Sequence, residues 1–326
     1  MSRAFLLGCF LALVGCTPSE SARNYRGWTD PVVIRGEDIE AVVIPSIGRI
    51  MDIRRPGEST GVLWQNPDLL GQAVQPNAKA WTNFGGDKTW PAPEGVWMKD
   101  ATGKWMPPVV FDQSALRVRV TEAGVLLESP VDPRSGVRFT RLIRPAGFRT
   151  LAVTTTYTKV QGPPVQIAVW VITQLAEPRA IATTATAGNP PFTPMFGPFK
   201  GIEIEKGILY WKRFPDVTAK IGTDGRALAW VGDKHTLLIA ATPGETTGVF
   251  PDNGCSAEIY VSPDPWAYVE LETLGRLATL GIGDTTSCTN TYRLDDVREG
   301  ETPKAAAARL LRPAKSARKS PPRGGL

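Results

Sequence analysis

An all-β fold, a large sandwich of two antiparallel sheets, is predicted by three features of this 326-residue chain. Short runs rich in β-branched and aromatic residues recur along the body, bounded by Gly, Pro, Asn or Asp. Several runs, such as GVRFTRLIR and YVELET, alternate apolar and polar residues as half-buried antiparallel strands do. The chain also holds 32 glycines and 29 prolines, which suits many short strands better than long helices.

Sixteen runs are predicted to be strands of one sandwich, because no repeat and no linker divides residues 31–300. A helix is expected only at Thr302–Leu311, where PKAAAARLL can form two or three turns. The predicted strands are Pro31–Ile34, Ile39–Ile44, Arg49–Arg54, Gly61–Trp64, Leu116–Thr121, Gly124–Ser129, Val137–Arg144, Thr150–Lys159, Val165–Leu175, Gly201–Lys206, Gly207–Lys212, Ala227–Val231, Thr236–Ala241, Ala257–Ser262, Ala267–Thr273 and Thr286–Leu294.

The amino terminus has the pattern of a secretory signal peptide. A positive start, MSR, precedes ten apolar residues, a run too short to span a bilayer comfortably. The following Leu-Val-Gly-Cys16 resembles the lipobox of bacterial lipoproteins, which implies cleavage before Cys16 and lipidation of that cysteine. We therefore expect a signal peptide at residues 1–15, a tether at residues 16–30, and a periplasm-facing protein anchored in the membrane of the cell envelope. Thr17 favours the outer membrane, and an ordinary signal peptide with a chance cysteine is the alternative.

The net charge of +5 is concentrated near the carboxyl terminus. Residues 304–326 hold seven basic residues and no acid, and with Arg3 they account for eight positive charges, so the body carries about −3. A nucleic-acid-binding face on the folded domain is therefore not expected. Residues 301–326 are predicted to form a short helix and a disordered basic tail, which is either simply solvated or binds anionic lipid or another polyanion.

Cys255 and Cys288 remain once Cys9 leaves with the signal peptide and Cys16 takes lipid. An even pair in an oxidising compartment predicts a disulfide, and two separate buried thiols are the alternative. The one histidine, His235, follows a Gly-Asp turn and is more typical of an exposed loop. We expect no metal site, because too few ligands are available, and no cofactor, because no Gly-rich phosphate loop precedes a helix.

The segment NFGGDKTWPAPE carries the densest side-chain chemistry in the chain. Its glycines and prolines predict a loop. Asp87 offers two acceptors and Lys88 three donors, a mixture that sugar hydroxyls require. Trp81, Trp90 and Trp97 supply indole faces that can stack on a pyranose. The alternatives are that Asp87 and Lys88 pair with each other and that the tryptophans only cover an end of the sandwich.

Three stretches resemble the galactose mutarotase-like superfamily. AVVIPSIGRIMDIRRPGESTGVLWQNP resembles its opening strands, and NFGGDKTWPAPE resembles a Gly-Gly-Asp-Lys-x-Trp-Pro-Ala-Pro signature in a bacterial branch called DUF4380. YVELETLGRLATLGIGD resembles the closing segment of that branch. The resemblance, over about residues 31–296, implies an antiparallel β-supersandwich with a sugar site on a concave face. In a family epimerase, a glutamate removes the proton of the anomeric hydroxyl and a histidine protonates the ring oxygen.

The resemblance assigns roles to particular residues. Glu272 matches the catalytic glutamate, and Glu270 shares its face because side chains alternate along a strand. Two neighbouring carboxylates repel, which can raise one pKa toward that of a useful base, and a solvent-facing acidic strand is the alternative. Trp170 stands at the histidine position, where indole has no titratable proton near neutral pH. The predicted ligand-binding residues are Asp87, Lys88 (near the place of a family arginine), Trp90, Arg49, Trp170, Gln174 and Lys220.

Together these features predict a monomeric envelope lipoprotein that binds a carbohydrate in a concave, mutarotase-like site. Aldose epimerase-like acid/base activity through Glu272 and Glu270 is one hypothesis. A non-catalytic carbohydrate-binding or scaffold lipoprotein is the alternative, because Trp170 replaces the family's acid.

Overall fold

The computed structural model describes residues 24–74, 81–97 and 105–312. The predicted signal peptide, the lipidation site Cys16 and the basic tail beyond residue 312 lie outside the described residues. In the described part, twenty antiparallel strands form two ten-stranded sheets, which confirms the predicted two-sheet sandwich. Strands and helices are numbered below in chain order.

The first sheet contains the strands that carry the predicted site. Its strands, in spatial order, are β1 (Val32–Gly36), β2 (Ile39–Ile44), β3 (Arg49–Arg54), β4 (Asp87–Ala92), β9 (Val165–Leu175), β18 (Val269–Leu274), β17 (Ala257–Val261), β14 (Ala219–Thr223) and β11 (Thr193–Phe196), with β19 (Ala278–Leu280) pairing to β9.

The second sheet covers one face of the first. Its strands, in spatial order, are β12 (Ile202–Glu205), β13 (Ile208–Trp211), β10 (Ala180–Thr184), β15 (Ala227–Val231), β16 (His235–Pro243), β20 (Thr285–Asp296), β8 (Thr150–Lys159), β7 (Val137–Pro145), β6 (Gly124–Val131) and β5 (Arg117–Thr121).

In the part of the chain that the structure describes, three α-helices accompany the sheets: α1 (Val109–Gln113), α2 (Pro251–Gly254) and α3 (Pro303–Leu311). The sequence predicts α3, whose first turn is capped by Thr302, with Pro303 at the start of the helix. Ala306, Ala307 and Leu310 bury its apolar side against β10, β13 and β15 of the second sheet. The other two helices are single turns, too short to show helical periodicity in the sequence. None of the helices in the described residues is long and apolar enough to cross a membrane.

The segment predicted as a loop contains a central strand, β4, and this is a correction. It pairs with β9 along its whole length, from Asp87 opposite Thr173 to Ala92 opposite Ala168. Its other edge pairs with β3 only at Asp87, so Pro91 removes no hydrogen bond from a continuous ladder there. Long-range pairing therefore overrides the local proline and glycine signals.

Part of the predicted tether packs onto the body. Tyr25 and Trp28 are buried in an apolar cluster with residues of β1, β2 and β3 and with Phe84. The Tyr25 hydroxyl donates to Asp52, and Trp28 Nε1 donates to the carbonyl of Gln72. The packed body therefore includes residues from Tyr25 onward.

Candidate functional site

Neighbouring strands of the first sheet bring the predicted residues onto one surface. Directly paired residues point to the same side of a sheet, so the register assigns side chains to rows. One row, from β4 to β17, consists of Lys88, Ile172, Glu272 and Glu258. The next row, from β9 to β14, consists of Gln174, Glu270, Tyr260 and Lys220. We call this surface, which is turned away from the second sheet, the outer face.

Asp87 does not join the outer face, contrary to the predicted ligand-binding role. Side chains alternate along β4, so Asp87 points between the sheets while Lys88 points outward. Its Oδ1 accepts from Arg141 at 2.5 Å, and its Oδ2 accepts from Thr173 and Tyr292, each at 2.7 Å. The aspartate is a buried cross-link between the sheets, and it does not pair with Lys88.

Gly85 and Gly86 bring β4 close to neighbouring backbone. Both have positive φ, 92° and 75°. A Cβ at Gly85 would lie 2.3 Å from the carbonyl oxygen of Trp64, and a Cβ at Gly86 would lie 2.5 Å from that of Ile50. The glycines therefore allow chain packing at the start of β4, a requirement that needs no ligand.

Lys88 is fully buried, and its Nζ has no hydrogen-bond partner among the described residues. The ring centres of Trp90 and Trp81 lie 4.4 and 4.9 Å from Nζ, in cation–π geometry. Asp112 Oδ1 lies 3.9 Å from Nζ. Burial, reinforced by the Arg49 guanidinium, lowers the pKa of Lys88 from 10.5 to about 8. The ammonium is thus held against two indole faces, while burial and the nearby Arg49 disfavour its charge.

Asp112 organises this end of the site, although the sequence analysis does not identify it. Its Oδ1 accepts from Arg49 and from the Trp90 indole, and its Oδ2 accepts from the Trp81 indole. Arg49 also donates to the carbonyl of Gly85, so it supports the site without reaching into solvent. The one available signal was an acid inside the apolar run VVFDQ.

Glu272 is buried and oriented by two donors. Trp170 Nε1 donates to its Oε2 at 2.6 Å, and Lys220 Nζ donates to the same oxygen at 2.9 Å. Its Oε1 is buried with no hydrogen-bond partner in the described chain. Trp170 therefore positions the glutamate, a role that its indole can perform although it cannot supply an acid.

A second pair of carboxyl groups, Glu258 and Asp252, extends the site beyond the predicted residues. Glu258 Oε2 lies 2.7 Å from Lys220 Nζ. Burial, together with the carboxylates of Glu272 and Asp252, raises the pKa of Glu258 well above its ordinary value of 4.5. Burial also raises the pKa of Asp252, whose carboxyl group lies near that of Glu258. The sequence contained one indication of Glu258, because this acid lies on the predicted strand Ala257–Ser262.

Lys220 is held between these carboxylates. Burial alone would lower its pKa, but the Glu258 and Glu272 carboxylates outweigh this effect and raise the pKa. The ring centre of Trp170 also lies 4.5 Å from Nζ. Lys220 therefore remains a charged structural partner of the two glutamates.

Glu270 lies at the more open side of the outer face and is only partly buried. Its Oε1 accepts from Gln174 Nε2 at 2.7 Å, which brings together two predicted residues. Burial, and then the neighbouring Glu272 carboxylate, raises the pKa of Glu270 to about 7. This carboxyl can therefore exchange a proton near neutral pH.

Aromatic rings border the site on two sides. Trp81, Trp90, Trp97, Trp105 and Trp170 form a mostly edge-to-face cluster, with neighbouring ring centres 5.3–6.5 Å apart. Trp81 and Trp90 of this cluster contact Lys88. On the Glu270 side, Tyr268 contacts Trp64, 4.5 Å between ring centres, and Trp266. Trp266 is 45% exposed, so this second cluster offers an accessible ring face.

Cys255 and Cys288 are both free and buried, which corrects the predicted disulfide. Cys288 lies on β20 of the second sheet, whereas Cys255 precedes β17 of the first sheet and packs against Gly222. The two cysteines thus belong to different sheets. Burial raises the pKa of both thiols, to about 12 for Cys288.

His235 is buried, not exposed as its sequence context suggested, and it belongs to the second sheet. Its Nε2 lies 3.0 Å from the Glu58 carboxylate, and its Nδ1 lies 3.3 Å from Asp296. Neither partner is on the outer face. Within residues 24–74, 81–97 and 105–312, no cluster of three or more His, Cys, Asp or Glu is arranged to hold a metal ion.

Solved structures with similar folds were found at low sequence identity. A galactose mutarotase-like protein from Lactobacillus casei has a TM-score of 0.54 and 9% identity, over 81% of this chain and 100% of that chain. The protein Slr1438 from Synechocystis has a TM-score of 0.51 and 8% identity, over 86% and 97%. A galactose mutarotase related enzyme from Lactobacillus acidophilus has a TM-score of 0.50 and 10% identity, over 82% and 99%.

These similarities define the fold: the chain has the galactose mutarotase-like β-sandwich fold. The sequence matches no protein-family model and no curated protein. The resemblance to the DUF4380 branch therefore stays a prediction, and identities of 8–10% carry the fold but not an activity.

Proposed function

We propose that the outer face of the first sheet binds a carbohydrate, with aldose epimerase-like acid/base chemistry at the glutamates of β18 as the first candidate activity. The observation that supports this most directly is the meeting of Lys88 with Glu270 and Glu272 on one face, next to aromatic rings. Sugars combine hydroxyls with apolar C–H faces, and a site with charged donors, acceptors and indoles matches both.

Ligand binding is favoured physically by buried polar groups that have no hydrogen-bond partner in the described part of the protein. Lys88 Nζ, Glu272 Oε1 and Gln174 Oε1 are buried and lack hydrogen-bond partners among the described residues. Burying a polar group without a partner costs free energy, so a hydroxyl that supplies the missing hydrogen bond gains affinity. The partly buried Glu270 and Tyr260 provide the side from which a ligand enters.

A non-catalytic binding protein is the second candidate, and Trp170 favours it. The indole stands at the expected histidine position and is committed to Glu272. With Trp170 at that position, the site can hold a sugar but has no proton donor where the family's epimerases have their histidine. The two candidates share a site and differ only in whether anomers interconvert.

A panel of mono- and oligosaccharides tests the binding proposal by thermal shift and tryptophan emission. We expect at least one sugar to raise the melting temperature and to change the emission of the indole clusters. Glu270→Gln weakens this response, whereas Glu205→Gln, an exposed change on the second sheet, leaves it intact. If no saccharide alters either signal, the binding proposal fails.

We further propose that the protein is a monomer anchored in the cell envelope by lipid on Cys16, as its amino-terminal sequence suggests. Labelling with a clickable fatty acid in the native host, with globomycin to block processing, tests the anchor. Labelling is expected for the wild type and not for Cys16→Ser. A labelled Cys16→Ser variant would contradict the proposal.

A further inference from the structure

Opening a sugar ring requires two proton transfers at different oxygens. A base removes the proton of the anomeric hydroxyl, and an acid donates a proton to the ring oxygen. Glu272 and Glu270 are candidates for the base, but Trp170 cannot donate the second proton and His235 belongs to the other sheet. The acid must therefore come from another group on the outer face.

We propose that Lys88 is the general acid that protonates the ring oxygen, opposite Glu272 as the base. This inference rests on the proposed carbohydrate site and adds a catalytic role for a residue otherwise expected only to bind ligand.

The strand register places the two groups on opposite sides of one binding position. Lys88 and Glu272 stand in the same row, on β4 and β18, with β9 and its residue Ile172 between them. Two strand spacings separate their backbones by about 10 Å. Both side chains rise from the same face, on either side of Ile172, and all three residues are buried. In the proposed step, a pyranose that enters between the two groups meets the ammonium at one edge and the carboxylate at the other.

A comparison of the two lysines on the outer face favours Lys88 over Lys220 as the proton donor. Lys220 Nζ is bound by Glu258 and Glu272, which hold its proton in place. Lys88 Nζ makes no hydrogen bond among the described residues, and Asp112, 3.9 Å away, already accepts from Arg49 and two indoles. Of the two lysines, Lys88 therefore has hydrogen-bonding capacity left for a substrate, whereas Arg49, which also keeps an unpartnered Nε among the described residues, holds its proton too tightly to act as an acid.

The groups around Lys88 leave it protonated at pH 7 but able to release the proton. Arg49 on β3 disfavours its charge, whereas Asp112 on α1 and Glu270 and Glu272 on β18 favour it. With burial as the largest effect, the resulting pKa is about 8. A pKa close to the working pH is the condition under which a general acid is most effective.

The proposed step conserves atoms and charge. Glu272 takes the proton of the anomeric hydroxyl, a C=O bond forms at the anomeric carbon, and the bond from that carbon to the ring oxygen breaks. The ring oxygen keeps the electron pair and receives a proton from the Lys88 ammonium. After rotation about the neighbouring C–C bond, closure runs in reverse and returns both protons.

Three lysine variants test this role by NMR measurement of anomer exchange with a sugar that raises the melting temperature. Lys88→Met is expected to lower the exchange rate by about 10²–10⁴-fold, the usual contribution of a general acid. Lys88→Arg keeps the cation but cannot release its proton near neutral pH, so it loses the same activity. Lys206→Met, on an exposed turn of the second sheet, exchanges like the wild type. The wild-type rate falls above about pH 8 as the ammonium loses its proton.

Three results would overturn the inference, the last of them together with the proposed function. Lys88→Arg exchanging at the wild-type rate would show that only the charge matters. A wild type that binds sugar but does not accelerate exchange would remove the catalytic role and leave the binding proposal intact. The absence of any sugar response would instead remove the proposed function itself, and the inference with it. Near-UV circular dichroism of each variant confirms that the tested protein is folded.

Discussion

Adjacent residues on β4 face two very different environments. Asp87, on the side toward the second sheet, has both carboxylate oxygens occupied, by Arg141 on one and by Thr173 and Tyr292 on the other. Lys88, one residue later on the outer face, is just as buried and has no hydrogen-bond partner in the described chain. The charge that joins the two sheets is fully hydrogen-bonded, whereas the charge without a hydrogen bond in the described chain marks the candidate site.

The same contrast holds along β18. Thr273 points inward, and its hydroxyl accepts from Asn290 at 2.7 Å. Its neighbour Glu272 points outward, and its Oε1 has no hydrogen-bond partner in the described segments. One face of the sheet thus joins the two halves of the sandwich, and the other keeps polar groups available at a cost in stability.

The largest effect is expected when the buried ion pair between Asp87 and Arg141 is broken. Arg141→Met leaves the Asp87 carboxylate buried without its guanidinium, which should lower the free energy of unfolding by about 3–5 kcal/mol. Urea denaturation measures the change. The double variant Asp87→Leu with Arg141→Met removes both charges and should recover much of the loss. A single variant as stable as the wild type would show that the ion pair is not structural.

For Lys88, on the outer face, the change in the free energy of unfolding should have the opposite sign. Lys88→Met replaces a buried ammonium with an apolar chain among indoles, and should stabilise the fold at pH 7 by on the order of 2 kcal/mol. Because burial depresses the pKa of Lys88 to about 8, the wild type loses stability as the pH falls through 8, and the difference from the variant disappears above about 10.5. Thermal unfolding from pH 6 to 11 measures it. Lys220→Met is the opposite control and should destabilise, because Glu258 and Glu272 lose their cation.

Glu270 gives a smaller, pH-dependent test of the outer face. Its pKa is raised from 4.5 to about 7, so the stability it contributes is present below pH 4.5 and is lost as the pH rises through 7. Glu270→Gln should match the wild type at pH 4 and exceed its unfolding free energy at pH 8 by on the order of 2 kcal/mol. Denaturant titrations at both pH values, with Glu205→Gln as the exposed control, measure the difference. An equal gain at both pH values would mean that proton binding is not the cause.

The smallest effect is expected for the two thiols, which are neither part of the ion pair between the sheets nor part of the outer face. Because Cys255 and Cys288 are free and buried, reductant should leave the melting temperature unchanged. Both should react with iodoacetamide only after unfolding, since burial raises the pKa of each and limits access. Mass spectrometry of alkylated protein counts the modified thiols. Labelling that requires prior reduction would reveal a disulfide and contradict this arrangement.

Much of the site was visible in the sequence because it depends on local alternation. The spacing of Glu270 and Glu272 already placed both on one face, and the resemblance linked them to Lys88 and Gln174. Asp112, Glu258 and Asp252 were missed as site residues, because each enters the site through contacts with distant segments.

The sequence by itself determined the strand-rich pattern, the two-sheet architecture and the helix at Pro303–Leu311, since these follow from short-range periodicity and capping. Only the tertiary structure decided that GGDKTWPAPE contains a strand, that Asp87 faces inward while Lys88 faces outward, and that the two cysteines stay apart. The physical reason is that β4 is defined by its pairing with β9, more than seventy residues later in the chain. A side chain's face depends on which strand its own strand pairs with, and no local pattern contains that information.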